Sequence, residues 1–288
     1  MTITHSASTL VLGLLLCSVL HAQQSTTDNA ALLQAVDARS AESKARDAAR
    51  NPYQTLEFFQ VEPGMTVAEA SPGGGWYTEI LANYLGPDGT LYGVNNPDQM
   101  WALYPNSTEE WRAERIAGTA QFPKLVADVT DNGIKAEGFT FNTVPPNVVG
   151  TVDRVLFMRA LHGLNRFEDQ IGSRTQALAA TRSMLKDDGM VGVVQHRAVP
   201  TDSESGTDGS RGYLEEADVI EFFEDAGFEL VDTAEINANP NDVPGPEDIV
   251  WRLPPSLATS RDNPELRVQM QAIGESDRMT LLFKKASS

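Results

Sequence analysis

Three groups of residues in this sequence have types and spacing suited to chemistry. The first is the run Glu69-Ala70-Ser71-Pro72-Gly73-Gly74-Gly75-Trp76. Glycines let a ligand approach the backbone closely because no Cβ intervenes, and a helix opening at Trp76 presents unpaired N–H groups beside them. The second group is His162 and His196, the only histidines beyond His21. A histidine with a near-neutral pKa can take a proton from an acceptor oxygen or nitrogen; the blander role is to cap a sheet by hydrogen bonds. The third group is Arg159, Arg197 and Tyr213, close to those histidines along the chain. The arginines suit an anionic acceptor or, alternatively, pairing with nearby carboxylates. Tyr213 and Trp76 suit an apolar wall or simple core packing.

These residues need elements to position them. The sequence predicts strands over Thr66–Ala70, Thr90–Val94, Lys124–Val129, Val152–Met158, Met190–His196, Phe228–Ile236 and Arg278–Lys284. Helices are predicted over Trp76–Leu85, Ser107–Ala117, Phe167–Lys186 and Glu215–Ala226, from apolar residues at helical spacing and from stops at Gly189 and Gly227. Alternating strands and helices imply an α/β fold, a Rossmann-like seven-stranded, mostly parallel sheet with helices on both faces. The glycine run and both histidines then fall at carboxyl ends of strands, where such sheets bind ligands. Ahead of the sheet, residues 29–49 read as one helix and Tyr53–Val61 as a shorter one. Residues 237–277 form a long insertion with six prolines, and Thr201–Gly212 reads as a mobile loop.

The chain has 288 residues, with 22 Lys plus Arg against 40 Asp plus Glu, a net charge of −18. Its 41% hydrophobic and 22% charged residues exclude wholesale disorder. The acidity argues against a nucleic-acid partner and against docking on an anionic membrane. Leu10–Leu20 is an uncharged apolar run of eleven residues, too short to span a bilayer, which takes ~20. It reads as an export signal over residues 1–22, cleaved near Ala22, so the chain is expected to be exported, to the periplasm, with no stable membrane insertion afterwards. Cys17, the single cysteine, lies in that segment. The mature chain therefore has no disulfide, no thiolate nucleophile and no cysteine or histidine-rich metal site.

The glycine run narrows the ligand. A dinucleotide fingerprint requires a third glycine where Thr78 stands, and no Gly-Lys-Ser/Thr phosphate loop occurs. Glu69 would repel a pyrophosphate. The pattern favours a ligand with amine and hydroxyl groups, such as S-adenosylmethionine. At this point the chain resembles the class I S-adenosylmethionine-dependent methyltransferases. Glu69 matches the acidic end of their first strand, and Gly73 and Gly75 match the second and third glycines of their loop; Ser71 replaces the first. Met184-Leu185-Lys186-Asp187-Asp188-Gly189-Met190 and Ala226-Gly227-Phe228 are similar to the turns before their fifth and sixth strands. More narrowly, the chain is similar to a group of exported predicted methyltransferases, through Pro72–Leu81, Arg159-Ala160-Leu161-His162 and Gly274–Leu281.

The resemblance implies an N-terminal helical extension over residues 23–60 and a methyltransferase-like domain over 61–288. It implies that Glu69, Ser71, Gly73, Gly74, Gly75, Asn95 and Asp128 hold the donor. Asn95 stands where the family carries a ribose-binding carboxylate, and Asp128 stands at the adenine position. His162 or His196 would serve as base, and Arg159, Arg197 and Tyr213 would contact a small-molecule acceptor. The Asn/Asp-Pro-Pro-Tyr motif of enzymes that methylate nucleic-acid amines is absent. Two readings stay open beside methyl transfer. One is a non-catalytic protein binding a small ligand on the same fold, which Asn95 and the cytoplasmic origin of the donor favour. The other is an NAD-dependent oxidoreductase, which the missing third glycine disfavours.

Overall fold

The computed structural model describes residues 30–199 and 207–287. The expected export signal lies outside the described residues, and the loop expected over Thr201–Gly212 is described only from residue 207. The N-terminal stretch is four short helices, α1 (30–37), α2 (Ala41–Lys44), α3 (Asp47–Arg50) and α4 (Pro52–Phe58). The single helix expected over 29–49 is thus divided. Ser40 restarts the chain as an N-cap, its side chain accepting from the Ser43 N–H. Asn51, at φ 41°, closes α3, and Pro52 opens α4.

The strands are β1 (Thr66–Ala70), β2 (Thr90–Asn95), β3 (Lys135–Thr140), β4 (Val152–Met158), β5 (Leu185–His196), β6 (Phe228–Ala234) and β7 (Arg278–Lys285). They form one seven-stranded sheet in the order β3-β2-β1-β4-β5-β7-β6. The pairs β2–β3, β1–β2, β1–β4 and β4–β5 are parallel, and β7 runs antiparallel between β5 and β6. Helices α5 (Trp76–Leu85), α6 (Glu109–Ala127), α7 (Leu161–Arg166), α8 (Glu168–Ile171), α9 (Ser173–Met184), α10 (Glu216–Asp225) and α11 (Pro264–Ile273) complete the regular structure. The expected Rossmann-like architecture is the observed one.

One strand was misplaced by sequence. Residues 124–127, expected to be strand, are the last turn of α6, and β3 begins only at Lys135. Thr108 caps α6 by accepting from the Trp111 N–H, and Glu109 and Glu110 complement its dipole. Phe122 and Val126, four apart, face the sheet and are buried. A short apolar run cannot be assigned by periodicity alone when Leu125, Val126 and Val129 suit either state. The packing decides it. Gly93 of β2 and Gly138 of β3 are paired in register, and a Cβ on either would collide with the Phe122 ring or the Thr119 carbonyl. These two bare positions form the seat of α6. The helix expected over Phe167–Lys186 is likewise split, at Gly172 (φ 62°), and ends at Met184, so that β5 takes Leu185 onward.

Two apolar layers cover the sheet. Ala68, Ala70, Val155, Phe157, Val191, Val193, Leu281 and Phe283 face one layer with α7, α9 and α10. Val67, Leu156, Met158, Val194 and Leu282 face the other with α1, α4, α5 and α6. The alternation is the period of two expected of a strand. Leu32, Val36, Leu56 and Phe59 of the N-terminal helices are buried in that second layer, so the helices pack into the same core as the sheet.

Candidate functional site

The site begins where β1 ends. Ser71, Gly73 and Gly75 have φ of 51°, 58° and 81°, and this left-handed run turns the chain from β1 into α5. A Cβ at Gly74 would meet nothing within 4 Å, and one at Gly73 only the Ser71 carbonyl at 3.9 Å. The loop therefore offers bare backbone to open space. Gly75 differs: a Cβ there would press on Leu125 at 3.0 Å. Gly75 is the N-cap of α5 and a packing position.

Glu69 is buried, on the α5 side of the sheet. The Thr78 hydroxyl donates to its Oε2 at 2.6 Å. Burial raises the carboxyl to about 7, against the opposing pull of the Thr78 bond and the Arg159 charge. Thr78, which occupies the place of a third fingerprint glycine, is thus the hydroxyl that satisfies the buried acid. Ser71 Oγ donates to Asn96 Oδ1 at 3.1 Å and ties the loop to the end of β2.

Two cavities meet at the loop. One, of about 310 Å³, lies toward β2 and α6 and is lined by Ser71, Gly73, Asn95, Trp101, Gly118 and Phe122 among others. The other, of about 430 Å³, lies over the ends of β1, β4 and β5. It is lined by Glu69, Ser71, Gly73, Gly74, Arg159, His162 and His196, with Arg46 and Arg50 from the N-terminal helices and Trp251 from the insertion. A further hollow between α9 and α10 shares no residue with the loop.

The histidine rings are 5.5 Å apart, centroid to centroid. His196 Nδ1 is 2.6 Å from Ser276 Oγ. His162 Nδ1 faces Gln195 Oε1 at 3.4 Å, while Gln195 Nε2 donates to the Gly212 carbonyl at 2.9 Å. That bond turns Gln195 Oε1, an acceptor only, toward His162, so Nδ1 carries the proton and Nε2 keeps its lone pair. Burial lowers His162 to about 4, partly offset by the Gln195 bond and reinforced by the charges of Arg159 and Arg166. Burial, His162 and the guanidiniums of Arg159, Arg278 and Arg50 push His196 well below its ordinary value.

The His162 shift has a stability consequence. Between its folded value of about 4 and its ordinary 6.5, the unfolded chain binds a proton that the folded chain does not. Its contribution is therefore complete above 6.5 and is lost as pH falls toward 4. His162→Asn removes that slope. Relative to wild type, the variant is expected to be less destabilised at pH 5 than at pH 7 in urea unfolding; a pH-independent difference would refute the assignment.

The structure gathers Glu69, Ser71, Gly73, Gly74, Arg159, His162 and His196 around one cavity and sets Asn95 in the adjoining one. It does not bring Asp128, Arg197 or Tyr213 to either. Asp128, expected at the end of the third strand, is the exposed C-cap of α6 and pairs with Lys124 at 2.6 Å, because the segment before it is helical. Arg197 is engaged by three carboxylates, Glu216, Glu235 and Asp277, at 3.2, 2.6 and 3.1 Å. Tyr213 is buried, its hydroxyl 3.2 Å from Asp242 Oδ2, and its ring packs on His196 from behind the cavity wall. Sequence reasoning missed Arg46, Arg50, Trp101 and Trp251. The two arginines stand four apart in Arg46-Asp47-Ala48-Ala49-Arg50, a spacing that places them on one helical face, and that was the available signal.

No family model matches the chain, and no curated protein matches its sequence. Solved structures do. The [4+2]-cyclase SpnF is similar over 92% of this chain and 95% of its own, with a TM-score of 0.52 and 13% identity. A geranyl diphosphate C-methyltransferase from Streptomyces coelicolor A3(2), solved with Mg2+, geranyl diphosphate and S-adenosyl-L-homocysteine, is similar over 84% of this chain and 80% of its own, with a TM-score of 0.50 and 10% identity. An S-adenosylmethionine-dependent methyltransferase from Aquifex aeolicus covers 67% of this chain and 87% of its own, with a TM-score of 0.45 and 18% identity. The fold is that of the class I methyltransferases. At these identities the likeness is one of fold, and a cyclase shares it, so the reaction must be argued from the site. No described helix is long and apolar enough to cross a membrane.

Proposed function

We propose that this protein transfers a methyl group from S-adenosylmethionine to a small-molecule acceptor. The observation that carries the reading is the meeting of two chemically different cavities at Ser71 and Gly73. The donor, when bound, supplies an electrophilic methyl carbon on a sulfonium and leaves as the neutral sulfide. The residues present fit it. Gly73 and Gly74 open bare backbone to the cavities, where a Cβ would take up ligand space. Trp101 Nε1, on the β2 side, is buried and has no hydrogen-bond partner among the described residues. Asn95 Nδ2 donates to Thr119 Oγ1 at 3.0 Å, which leaves Asn95 Oδ1 to accept from a ribose hydroxyl. Glu69 suits the donor's ammonium, which would draw its proton off. On the far side of the loop His162, held near 4 by burial and so too weak a base to ionise the acceptor beforehand, takes at Nε2 the proton that becomes acidic as the acceptor attacks the methyl, and the cavity walls hold donor and acceptor in line. Independently of the methyl-transfer reading, we propose that Leu10–Leu20 acts as an export signal that directs the chain to the periplasm.

The test is calorimetric titration of the full chain with S-adenosylmethionine, S-adenosylhomocysteine and NAD. Binding of the first two is expected. Gly74 has no left-handed backbone, so Gly74→Leu fills the cavity without strain at that residue. It is expected to weaken S-adenosylhomocysteine at least tenfold, about 1.4 kcal/mol, with an unchanged Tm. Heat with NAD alone, or none with any of the three, would overturn the reading. A second reading, a ligand-binding protein without turnover, is favoured by one observation: β2 ends at Val94-Asn95 and Asn96 follows, with no carboxylate there for the ribose. Donor binding without formation of S-adenosylhomocysteine across an acceptor panel would select it.

A further inference from the structure

The cavity that holds both histidines carries more positive charge than methyl transfer uses. Arg46, Arg50 and Arg159 line it, and Arg278 lies behind them. Among the described residues one carboxylate pairs with this group: Glu275 is 2.6 Å from Arg46, 3.4 Å from Arg50 and 3.5 Å from Arg278. Glu69, raised to about 7, adds at most part of a second negative charge. Arg159 makes no ion pair among the described residues, and its Nη1 is buried without a hydrogen-bond partner. Its backbone is left-handed as well, at φ 62°. Arg50 is held in place by the Trp76 ring, 4.5 Å from its guanidinium. In a chain of net charge −18, such a concentration of unneutralised guanidinium in a cavity is costly unless something of opposite charge enters. The donor's single carboxylate is outweighed by its sulfonium and its ammonium, so on balance the donor adds positive charge rather than neutralising this cluster.

We propose that this chamber is an acceptor subsite for an anionic group, a carboxylate or a phosphate, gripped by Arg159 with Arg46 and Arg50. The planar fork of a guanidinium matches both groups with paired N–H donors, and buried guanidiniums hold them far more strongly than exposed ones. The acceptor thus has two parts: an anionic handle in the guanidinium cluster and a nucleophilic atom within reach of the histidines. Its role as acceptor site rests on the methyl-transfer reading; anion binding does not.

The test titrates the full chain with inorganic phosphate and with acetate, in chloride at fixed ionic strength, by thermal shift and calorimetry. At least one is expected to bind and to raise the Tm beyond the chloride reference; which of them binds better separates a phosphate handle from a carboxylate. Arg159→Gln is expected to weaken that binding at least tenfold. Arg46→Gln, at a more exposed position, serves as a second variant and is expected to weaken it at least threefold. Neither anion binding better than chloride, or equal binding by wild type and both variants, would overturn the proposal. Phosphate and S-adenosylhomocysteine are expected to bind together. Mutual exclusion would assign the chamber to the donor's own carboxylate and overturn the acceptor assignment. Phosphate binding without any S-adenosylhomocysteine binding would support the anion site and overturn the methyl-transfer reading instead.

Discussion

Glu275→Gln is expected to cost about 3–5 kcal/mol of folding stability, the usual range when one partner of a buried ion pair is removed. For a domain of this size that is a fall in Tm of roughly 10 °C. Glu275 is the carboxylate against which Arg46, Arg50 and Arg278 are packed, and its side chain is only 11% exposed. Burial alone would raise its carboxyl; the Arg46 bond and the charges of Arg50 and Arg278 outweigh that and hold it below its ordinary 4.5. A group with a depressed folded value stabilises above its unfolded value, and that stability is lost as pH falls through the folded one. The gap between wild type and variant is therefore full at pH 7 and narrows only as pH falls below 4.5 toward the lower folded value. Arg50 and Arg278 already sit near 9 and 10, lowered first by burial and next by the charge of Arg159. Denaturant unfolding at a series of pH values from 7 down into the acid range checks the expectation. A gap that does not narrow at any pH in that range would mean that Glu275 acts through packing rather than charge.

Asp242→Asn is expected to be nearly as severe, about 3 kcal/mol, and to loosen His196 as well. The Asp242 side chain is fully buried and accepts three bonds, from Arg252 Nη2 at 2.7 Å, Asp277 N at 3.0 Å and the Tyr213 hydroxyl at 3.2 Å. Burial pushes its carboxyl up, while the Asp277 N–H, Arg252 and Tyr213 pull it down. The amide of asparagine turns one acceptor into a donor that faces donors. Arg252 keeps Asp248 at 3.3 Å, which holds the cost to the low end of the range for a broken buried pair. The bond to Asp277 N anchors the segment whose Ser276 touches His196 Nδ1 at 2.6 Å. The variant should therefore shift the His196 ring resonances by NMR while leaving those of His162 nearly in place. Unchanged His196 signals would show that the Gly274–Arg278 segment is positioned without Asp242.

Much of the frame was readable along the chain. β1, α5 and β4 fall at the expected boundaries; β1 and α5 combine a local period with a clear stop, the Gly73–Gly75 turn and Pro87-Asp88-Gly89, while the left-handed backbone that follows β4 at Arg159 shows only in the structure. The placement of the glycine loop and both histidines at carboxyl ends of strands follows from that frame. The third strand was not readable. Residues 124–129 satisfy either a helix or a strand, and the choice lies with Gly93 and Gly138, which make room for α6 from two other strands. Asp128 left the site together with that strand.

Sequence alone determined the α/β class, the glycine loop between β1 and α5, the acidic residue that precedes it and the pair of histidines at strand ends, since these depend on contacts within a few residues or on strand polarity. The tertiary structure alone decided which arginines are free. Arg159 and Arg197 look alike in sequence, each near a histidine at a strand end. Yet Arg197 meets Glu216, Glu235 and Asp277, while Arg159 meets no carboxylate at ion-pair distance among the described residues. Arg46 and its partner Glu275 are 229 residues apart. Ion pairing falls off with distance through space, and spacing along the chain does not encode that distance once the chain has crossed the sheet.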